Sequence, residues 1–191
     1  MINNWTTFNE SLSDDLIQIY KDIERANISD STIIERISAY HKFINYDQYE
    51  YGTFLVTCSY SNRYEVSKYL LENGADANIS HEMISPLNYA ASNGYLDIVK
   101  ILLEYGAFID AVDENNETSL ISATINNGSN VIFYLLEKGA SWTRDNADNY
   151  FIDYLNEKNS QEKYIIEEIK KLYPTEYKKY LKIKSSKKFN I

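Results

Sequence analysis

The feature that most constrains the fold is a Gly-Ala pair repeated three times, at intervals of 32 and 33 residues. A leucine, a small residue and a Leu-Leu pair precede each copy at the same spacing. Helical periodicity of this kind predicts amphipathic helices, and helices of about 8–10 residues are unstable alone in water. The sequence therefore predicts a stack of repeated helical units. The copies are Leu55, Cys58, Leu70-Leu71 and Gly74-Ala75; Leu87, Ala90, Leu102-Leu103 and Gly106-Ala107; and Leu120, Ala123, Leu135-Leu136 and Gly139-Ala140.

The start of each unit carries a more specific pattern. The segments read TFLVTC at 53–58, SPLNYA at 85–90 and TSLISA at 118–123. They resemble the T-P-L-H-x-A core of the ankyrin repeat family, whose unit is a β-turn followed by two helices. That resemblance implies an all-α solenoid of stacked helix-turn-helix units with short β-turn fingers and helical end caps. The family's threonine and histidine brace neighbouring turns, so the missing histidine is expected to lower stability without changing the fold.

We expect one ankyrin-repeat domain over residues 1–191. Residues 1–50 read as an N-terminal cap, in which Ser13-Asp14 caps a helix ending near Ala26-Asn27 and Asp30 or Ser31 caps the next. Residues 51–144 hold the three clear repeats. Residues 145–183 form a degenerate fourth repeat and a C-terminal cap, with helices over 160–173 and 175–183. Residues 184–191 lack a core-forming pattern and are expected to be a frayed tail.

Charge divides the chain unevenly. Its formal net charge is −9, yet eight lysines stand against two glutamates from residue 168 onward. The other residues therefore form an acidic body, which repels phosphate backbones and attracts basic partners. The lysine-rich end has two interpretations, a capping helix with packed tyrosines or a weak basic contact, and we favour the first. We expect no nucleic acid, no membrane span or secretion leader, and a monomer in the cytoplasm, since a lone cysteine suits a reducing compartment.

Motifs for chemistry are incomplete. The six glycines all serve turns and helix ends, and no phosphate-binding glycine motif exists. His81-Glu82 begins an H-E-x-x-H pattern that fails at Ser85, and residues 145–149 lack the ligands of a calcium loop. Cys58 occupies a small core position and is expected to be a buried structural thiol. We expect no cofactor, no metal and no enzyme, although a hydrolase or transferase with an unrecognised cleft is the third alternative below.

A partner-binding surface is the remaining candidate. In the ankyrin family the partner lies against the concave side, formed by finger tips and exposed positions of the inner helices. Tyrosine and isoleucine would anchor the partner, and glutamates would select a basic one. Carried over residue by residue, the predicted contact residues are Tyr49, Glu50, Tyr60, His81, Glu82, Ile84, Ser92, Asn93, Glu114, Asn115, Glu117, Ile125, Asn126, Asn146 and Asn149.

Three functional hypotheses follow. The first is a non-enzymatic module that binds a basic partner protein through its acidic concave face, as an inhibitor or a toxin-neutralising immunity protein. The second is a viral or bacterial effector that engages a host signalling protein. The third is an enzyme, which would require a cleft with perturbed titratable groups.

Overall fold

The computed structural model describes residues 3–48, 50–126, 128–156 and 158–188, with side chains from residue 14 to residue 186 outside the same gaps. Within these residues β structure is limited to isolated bridges, and the predicted all-α class is confirmed. The helices are α1 (Asn3–Glu24), α2 (Asp30–Ala39), a 3-10 helix (His41–Phe43), α3 (Phe54–Tyr60), α4 (Tyr64–Glu72), α5 (Pro86–Ser92), α6 (Leu96–Glu104), α7 (Ser119–Ile125), α8 (Ser129–Glu137), a second 3-10 helix (Phe151–Tyr154), α9 (Ser160–Leu172) and α10 (Pro174–Lys188). None of these helices combines the length and apolar character needed to span a membrane.

The clear repeats stack as two rows of helices. Helices α3, α5 and α7 pack in order as the inner row, and α4, α6 and α8 form the outer row. Cys58, Ala90 and Ala123 have no exposed surface, and their small size lets neighbouring inner helices approach closely. Five leucines of the outer row are buried in the same continuous core, where each contributes about 1.5–3 kcal/mol: Leu70, Leu71, Leu102, Leu135 and Leu136. Since the inner helices have only 7 residues, stacking supplies their stability.

Each unit begins and ends as the sequence predicts. The side chains of Thr53, Ser85 and Thr118 accept a backbone N–H three residues later and so cap the inner helices. After α6, Gly106 has a φ of 84°, and the N–H of Ala107 donates to the carbonyl of Leu102 at 2.9 Å. This left-handed ending favours glycine because it has no Cβ.

Side-chain amides and carboxylates connect one repeat to the next. Asn45 donates to the carbonyl of Gly74 at 3.0 Å, and Asn78 donates to that of Gly106 at 3.1 Å. Asp110 occupies the next position of this register and accepts from the backbone N–H of Ser141 at 2.8 Å. These bonds satisfy backbone N–H and carbonyl groups in the loops that follow the outer helices. They also fix the rotation of one repeat relative to the next.

Asn88 makes a second kind of connection. It stands where the family pattern has histidine, and it is 3% exposed. Its Oδ1 accepts from the hydroxyls of Ser85 and Ser119 at 2.7 and 2.9 Å, while Nδ2 donates to the carbonyl of Glu117 at 3.1 Å. The middle repeat therefore keeps a bridge to the next turn, although it lacks the histidine.

The N-terminal helices extend the stack, with α1 packed on α3 and α2 on α4. Arg63 fixes them to the first repeat, since its guanidinium donates to the carbonyls of Ile23 and Ile28 and pairs with Asp30 at 2.9 Å. The predicted cap at Ser13-Asp14 is wrong. No glycine or proline interrupts the sequence there, and α1 runs through it. The cap of α2 is Ser29, one residue before the predicted position, because its Oγ accepts from Thr32 N.

The C-terminal end differs from the prediction in two places. The fourth inner helix is a 3-10 turn of 4 residues. It stops because Leu155 is extended and the N–H of Asn156 donates to the Glu162 carboxylate rather than continuing a helix. Helix α10 continues to Lys188, past the predicted boundary at residue 183. Its Tyr180 donates to Asp153 at 2.6 Å, and Lys184 pairs with the same carboxylate, which ties the helix to the stack.

Candidate partner-binding face

Four loops precede the inner helices and form the predicted fingers. Isolated bridges close them, and they are numbered here as finger 1 (Gln48 to Gly52), finger 2 (His81 to Ile84), finger 3 (Val112 to Thr118) and finger 4 (Arg144 to Tyr150). The fingers and the exposed sides of α3, α5 and α7 together are called the finger face. Three fingers are held from within by side-chain acceptors, which take a backbone N–H of the same loop at 2.9–3.1 Å: Gln48, Asp113 and Asp145.

All formal charge on this face comes from the fingers, because α3, α5 and α7 contain no charged residue. Carboxylates predominate, and the basic residue of the fingers, Arg144, pairs with Asp148. An uncharged strip of inner helices therefore lies beside a row of carboxylates. These are Asp47 at the edge of finger 1, Glu50, Glu82, Asp113, Glu114, Glu117, Asp145 and Asp148.

A small cavity opens at the N-terminal half of the face. Three tyrosines, Tyr51, Tyr60 and Tyr89, line it together with Glu24 and Glu50, and its volume is about 150 Å³. We call it the tyrosine pocket. The Tyr60 and Tyr89 rings meet edge to face, with centroids 5.9 Å apart and planes at 84°.

The aromatic wall of this pocket is supported from α1. Tyr20 is fully buried, and its ring stacks on Tyr51 at 5.1 Å. Its hydroxyl donates to the carbonyl of Gly52 at 2.9 Å. Burial raises the pKa of Tyr20, followed by the effect of Asp47, so the hydroxyl remains a donor. The N-terminal cap thereby orders finger 1 as well as closing the stack.

The tip of finger 2 is strained. Glu82 and Met83 have φ values of 49° and 65°, the left-handed region in which a Cβ is unfavourable. A two-residue turn with both central residues at positive φ is ordinarily Asn-Gly. Met83 is nonetheless 60% exposed. Met83 is not among the contact residues predicted from the sequence, since the sequence alone does not show the unfavourable backbone conformation of Glu82 and Met83.

The sequence predicts His81 at the tip of finger 2, and this is wrong. His81 lies at the base of that finger. Its side chain is 13% exposed, and Nδ1 lies 3.2 Å from a carboxylate oxygen of Asp47. A Cβ added to Gly52 would lie 2.7 Å from the His81 Cβ. His81 therefore joins fingers 1 and 2, and a substitution at Gly52 would separate them.

In the C-terminal half of the finger face, polar groups of one finger hydrogen-bond to the other. The backbone N–H of Asn146 donates to the carbonyl of Asn115 at 2.9 Å, and its side chain donates to that of Glu114 at 3.0 Å. Asn116 donates to the carbonyl of Arg144 at 2.5 Å. Fingers 3 and 4 are thus bonded directly to each other.

The predicted contact residues fall into three groups. Asn93 and Asn126 cap helix ends by donating to backbone carbonyls, and Asn126 also donates to Ser92 at 2.9 Å. Ile84, Glu117 and Asn149 are half-buried supports of their fingers. His81 and Ser92 are half-buried as well. Seven others are exposed: Glu50, Tyr60, Glu82, Glu114, Asn115, Ile125 and Asn146. Tyr49 lies outside the described residues.

Two carboxyl groups at fingers 3 and 4 have opposite pKa directions. Desolvation raises the pKa of Glu117, and the neighbouring Asp113 and Asp145 raise it further. Burial alone would raise the pKa of Asp145, but hydrogen bonds from Tyr154 and Asn149 hold it below its ordinary value. Asp145 is therefore a stable anion that organises finger 4. The ionised form of Glu117, in contrast, is destabilised by burial and by its neighbouring carboxylates.

No group of three or more potential ligands among the described side chains could hold a metal ion. Cys58 is buried, as predicted, and burial raises the pKa of its thiol, which keeps it protonated. What the finger face presents is tyrosine, methionine and isoleucine beside carboxylates, a composition suited to recognition.

A family model described as ankyrin repeats, in three copies, matches residues 55–146. The chain is an ankyrin repeat protein. It is similar to an ankyrin repeat protein of Rickettsia bellii, 38% identical over 44% of this chain and 46% of the relative. It is also similar to an ankyrin repeat protein of fowlpox virus, 39% identical over 35% of this chain and 15% of that protein.

Relatives with enzyme names share only the repeats. An E3 ubiquitin-protein ligase of Caenorhabditis elegans is 36% identical over 44% of this chain, which corresponds to 3% of the ligase. The matched region covers less than half the length of each of these three relatives. Ankyrin repeats are protein–protein interaction modules and typically have no catalytic activity. What this chain shares with these relatives is therefore a fold that binds proteins.

Proposed function

We propose that this ankyrin repeat protein binds a basic partner protein through its finger face, without enzymatic activity. The observation that carries the proposal is the arrangement of that face, in which exposed Tyr60, Met83 and Ile125 accompany a row of finger carboxylates. Apolar and aromatic anchors supply most interface energy, whereas charges at the rim set selectivity and encounter rate.

The partner that fits best is an enzyme or toxin with a basic surface, which the chain would inhibit or neutralise. Covering a basic active-site region requires a rigid surface of complementary charge, and the stacked repeats supply the rigidity. In this role the chain acts as one domain over 1–191, as a monomer in the cytoplasm. The retained thiol of Cys58 suits that reducing compartment.

Charge reversal on the two faces tests the proposal. Glu82→Lys with Glu114→Lys changes the finger face, while Glu65→Lys with Glu104→Lys makes the same change at exposed positions of α4 and α6. Each tagged protein captures partners from a lysate of the source organism at low and high salt. We expect one basic protein, retained by the wild type and the outer-row variant and lost by the finger-face variant. Equal capture by both variants would overturn the proposed face.

A further inference from the structure

The tyrosine pocket has the size and chemistry of a receptor for one cationic side chain. Its volume of about 150 Å³ is below the ~300–1,000 Å³ of sites for whole small molecules. One long side chain can enter it, whereas a helix or a folded loop cannot. The pocket lies at the N-terminal end of the finger face, where the repeat stack meets α1.

The walls of the pocket favour a positive charge. Tyr60 and Tyr89 form two perpendicular walls, and aromatic rings attract guanidinium and ammonium groups. Glu24 and Glu50 line the same cavity. Within the described residues neither carboxylate has a cationic partner. An anionic side chain would meet unbalanced negative charge, and an apolar one would leave the carboxylates without a counter-charge.

Contacts with neighbouring side chains hold two lining residues in place. His81, which also lines the pocket, interacts with Asp47, and Tyr51 stacks on Tyr20. Glu82 lies close enough to contribute to the raised pKa of Tyr89, after desolvation. The position equivalent to Tyr60 is Ser92 in the second repeat and Ile125 in the third, so neither following repeat can build the same aromatic corner.

We propose that the tyrosine pocket binds an arginine or lysine side chain of the partner protein and is the anchor of the interface. This inference rests on the proposed function. The positive charge lies against the aromatic corner formed by the Tyr60 and Tyr89 rings, and Glu24 and Glu50 balance it.

Short peptides test the pocket without a known partner. The probes are N-acetyl tripeptide amides of Gly-X-Gly, in which X is arginine, lysine, citrulline or leucine. Citrulline keeps the shape of arginine but is uncharged. NMR titration follows the ring resonances of Tyr60 and Tyr89. We expect saturable shifts with the arginine or the lysine peptide, and at least about fivefold weaker binding of the citrulline and leucine peptides. Comparison of the first two separates guanidinium from ammonium recognition.

Matched variants assign the binding to the pocket. Tyr60→Leu removes a ring that is 54% exposed, so the fold should persist, and binding of the cationic peptide should fall by about fivefold. Tyr60→Phe should retain it. Tyr164→Leu removes a similarly exposed ring, at 59%, from α9 and outside the pocket, and should leave it unchanged. Circular dichroism confirms that each variant is folded.

Three outcomes would overturn the inference: no saturable shift, equal binding of arginine and citrulline peptides, or equal binding by wild type and Tyr60→Leu. The proposed function has a separate test. If Tyr60→Leu still captures the basic partner as well as the wild type does, the finger face survives and the anchor is wrong. If the charge-reversed finger face captures it normally, the proposed function fails, whatever the peptides show.

Discussion

The two halves of the finger face share one repeat register but use their side chains differently. In the C-terminal half, fingers 3 and 4 are hydrogen-bonded to each other through Asn146 and Asn116. In the N-terminal half, Tyr60 and Met83 are exposed, and the turn that carries Met83 is strained. A polar group that is already bonded has little left for a partner, whereas an exposed side chain on a strained turn is retained at a cost. Positions that are equivalent in the repeat therefore differ in which side chains they leave free of hydrogen bonds within the fold.

The largest change in unfolding free energy is expected when the Asn88 bridge between the two halves is removed. Asn88→Ala should lower the free energy of unfolding by about 2–4 kcal/mol, because it removes the acceptor of the buried Ser85 and Ser119 hydroxyls and a donor to the Glu117 carbonyl. Urea unfolding measures the change. The matched control is Asn126→Ala, at an exposed helix end, with an expected loss of about 0.5–1 kcal/mol. Equal losses in the two variants would show that the bridge is not structural.

The next effect concerns finger 2. Replacing Glu82-Met83 by Asn-Gly should raise the unfolding free energy by about 1 kcal/mol, since both residues would then suit positive φ, partly offset by glycine's flexibility in the unfolded chain. Thermal unfolding measures the gain, and partner capture should decline because two side chains of the proposed interface are lost. In finger 3, Asn-Gly at Glu114-Asn115 should give no gain, because neither residue has a positive φ. A loss of stability in the finger 2 variant would refute strain.

Much of the fold could be predicted because it depends on local periodicity and small residues. The leucines and the left-handed glycine at Gly106 determine where helices pack and end, and both are visible in the sequence. The finger face was less predictable. Whether Asn126 bonds to the preceding repeat or faces a partner depends on its distance from Ser92. The conformation of Met83 likewise depends on a turn length that composition does not specify.

A smaller effect is expected when a hydrogen bond between fingers 3 and 4 is removed, and it should appear as increased mobility of finger 4. Asn146→Ala removes the side-chain bond to the carbonyl of Glu114, which should cost about 0.5–1 kcal/mol. It should also speed amide hydrogen exchange at residue 146, whose N–H donates to Asn115. Glu82→Ala serves as the control, since its side chain makes no such cross-finger bond in the described residues. Unchanged exchange in the Asn146 variant would mean that the backbone bond and the Asn116 side chain suffice to join fingers 3 and 4.

The smallest effect is electrostatic and belongs to the C-terminal half. Burial and the neighbouring Asp113 and Asp145 raise the folded-state pKa of Glu117 above its ordinary value of 4.5. The folded state therefore holds this proton more tightly than the unfolded state. The resulting stability is present below pH 4.5 and is lost as the pH rises through the raised pKa. Glu117→Gln removes that loss, so its stability relative to the wild type should increase with pH across this window.

Urea unfolding at several pH values measures the trend, and Glu114→Gln removes the same charge from an exposed position of the same finger. The trend should be steeper for Glu117→Gln, because only that carboxylate is half-buried beside Asp113 and Asp145. Parallel trends would assign the effect to the net charge of finger 3 instead. A steeper trend would show that the two halves use carboxylates differently. In the C-terminal half, burial and neighbouring carboxylates make ionised Glu117 destabilising, whereas in the N-terminal half Glu24 and Glu50 line the tyrosine pocket.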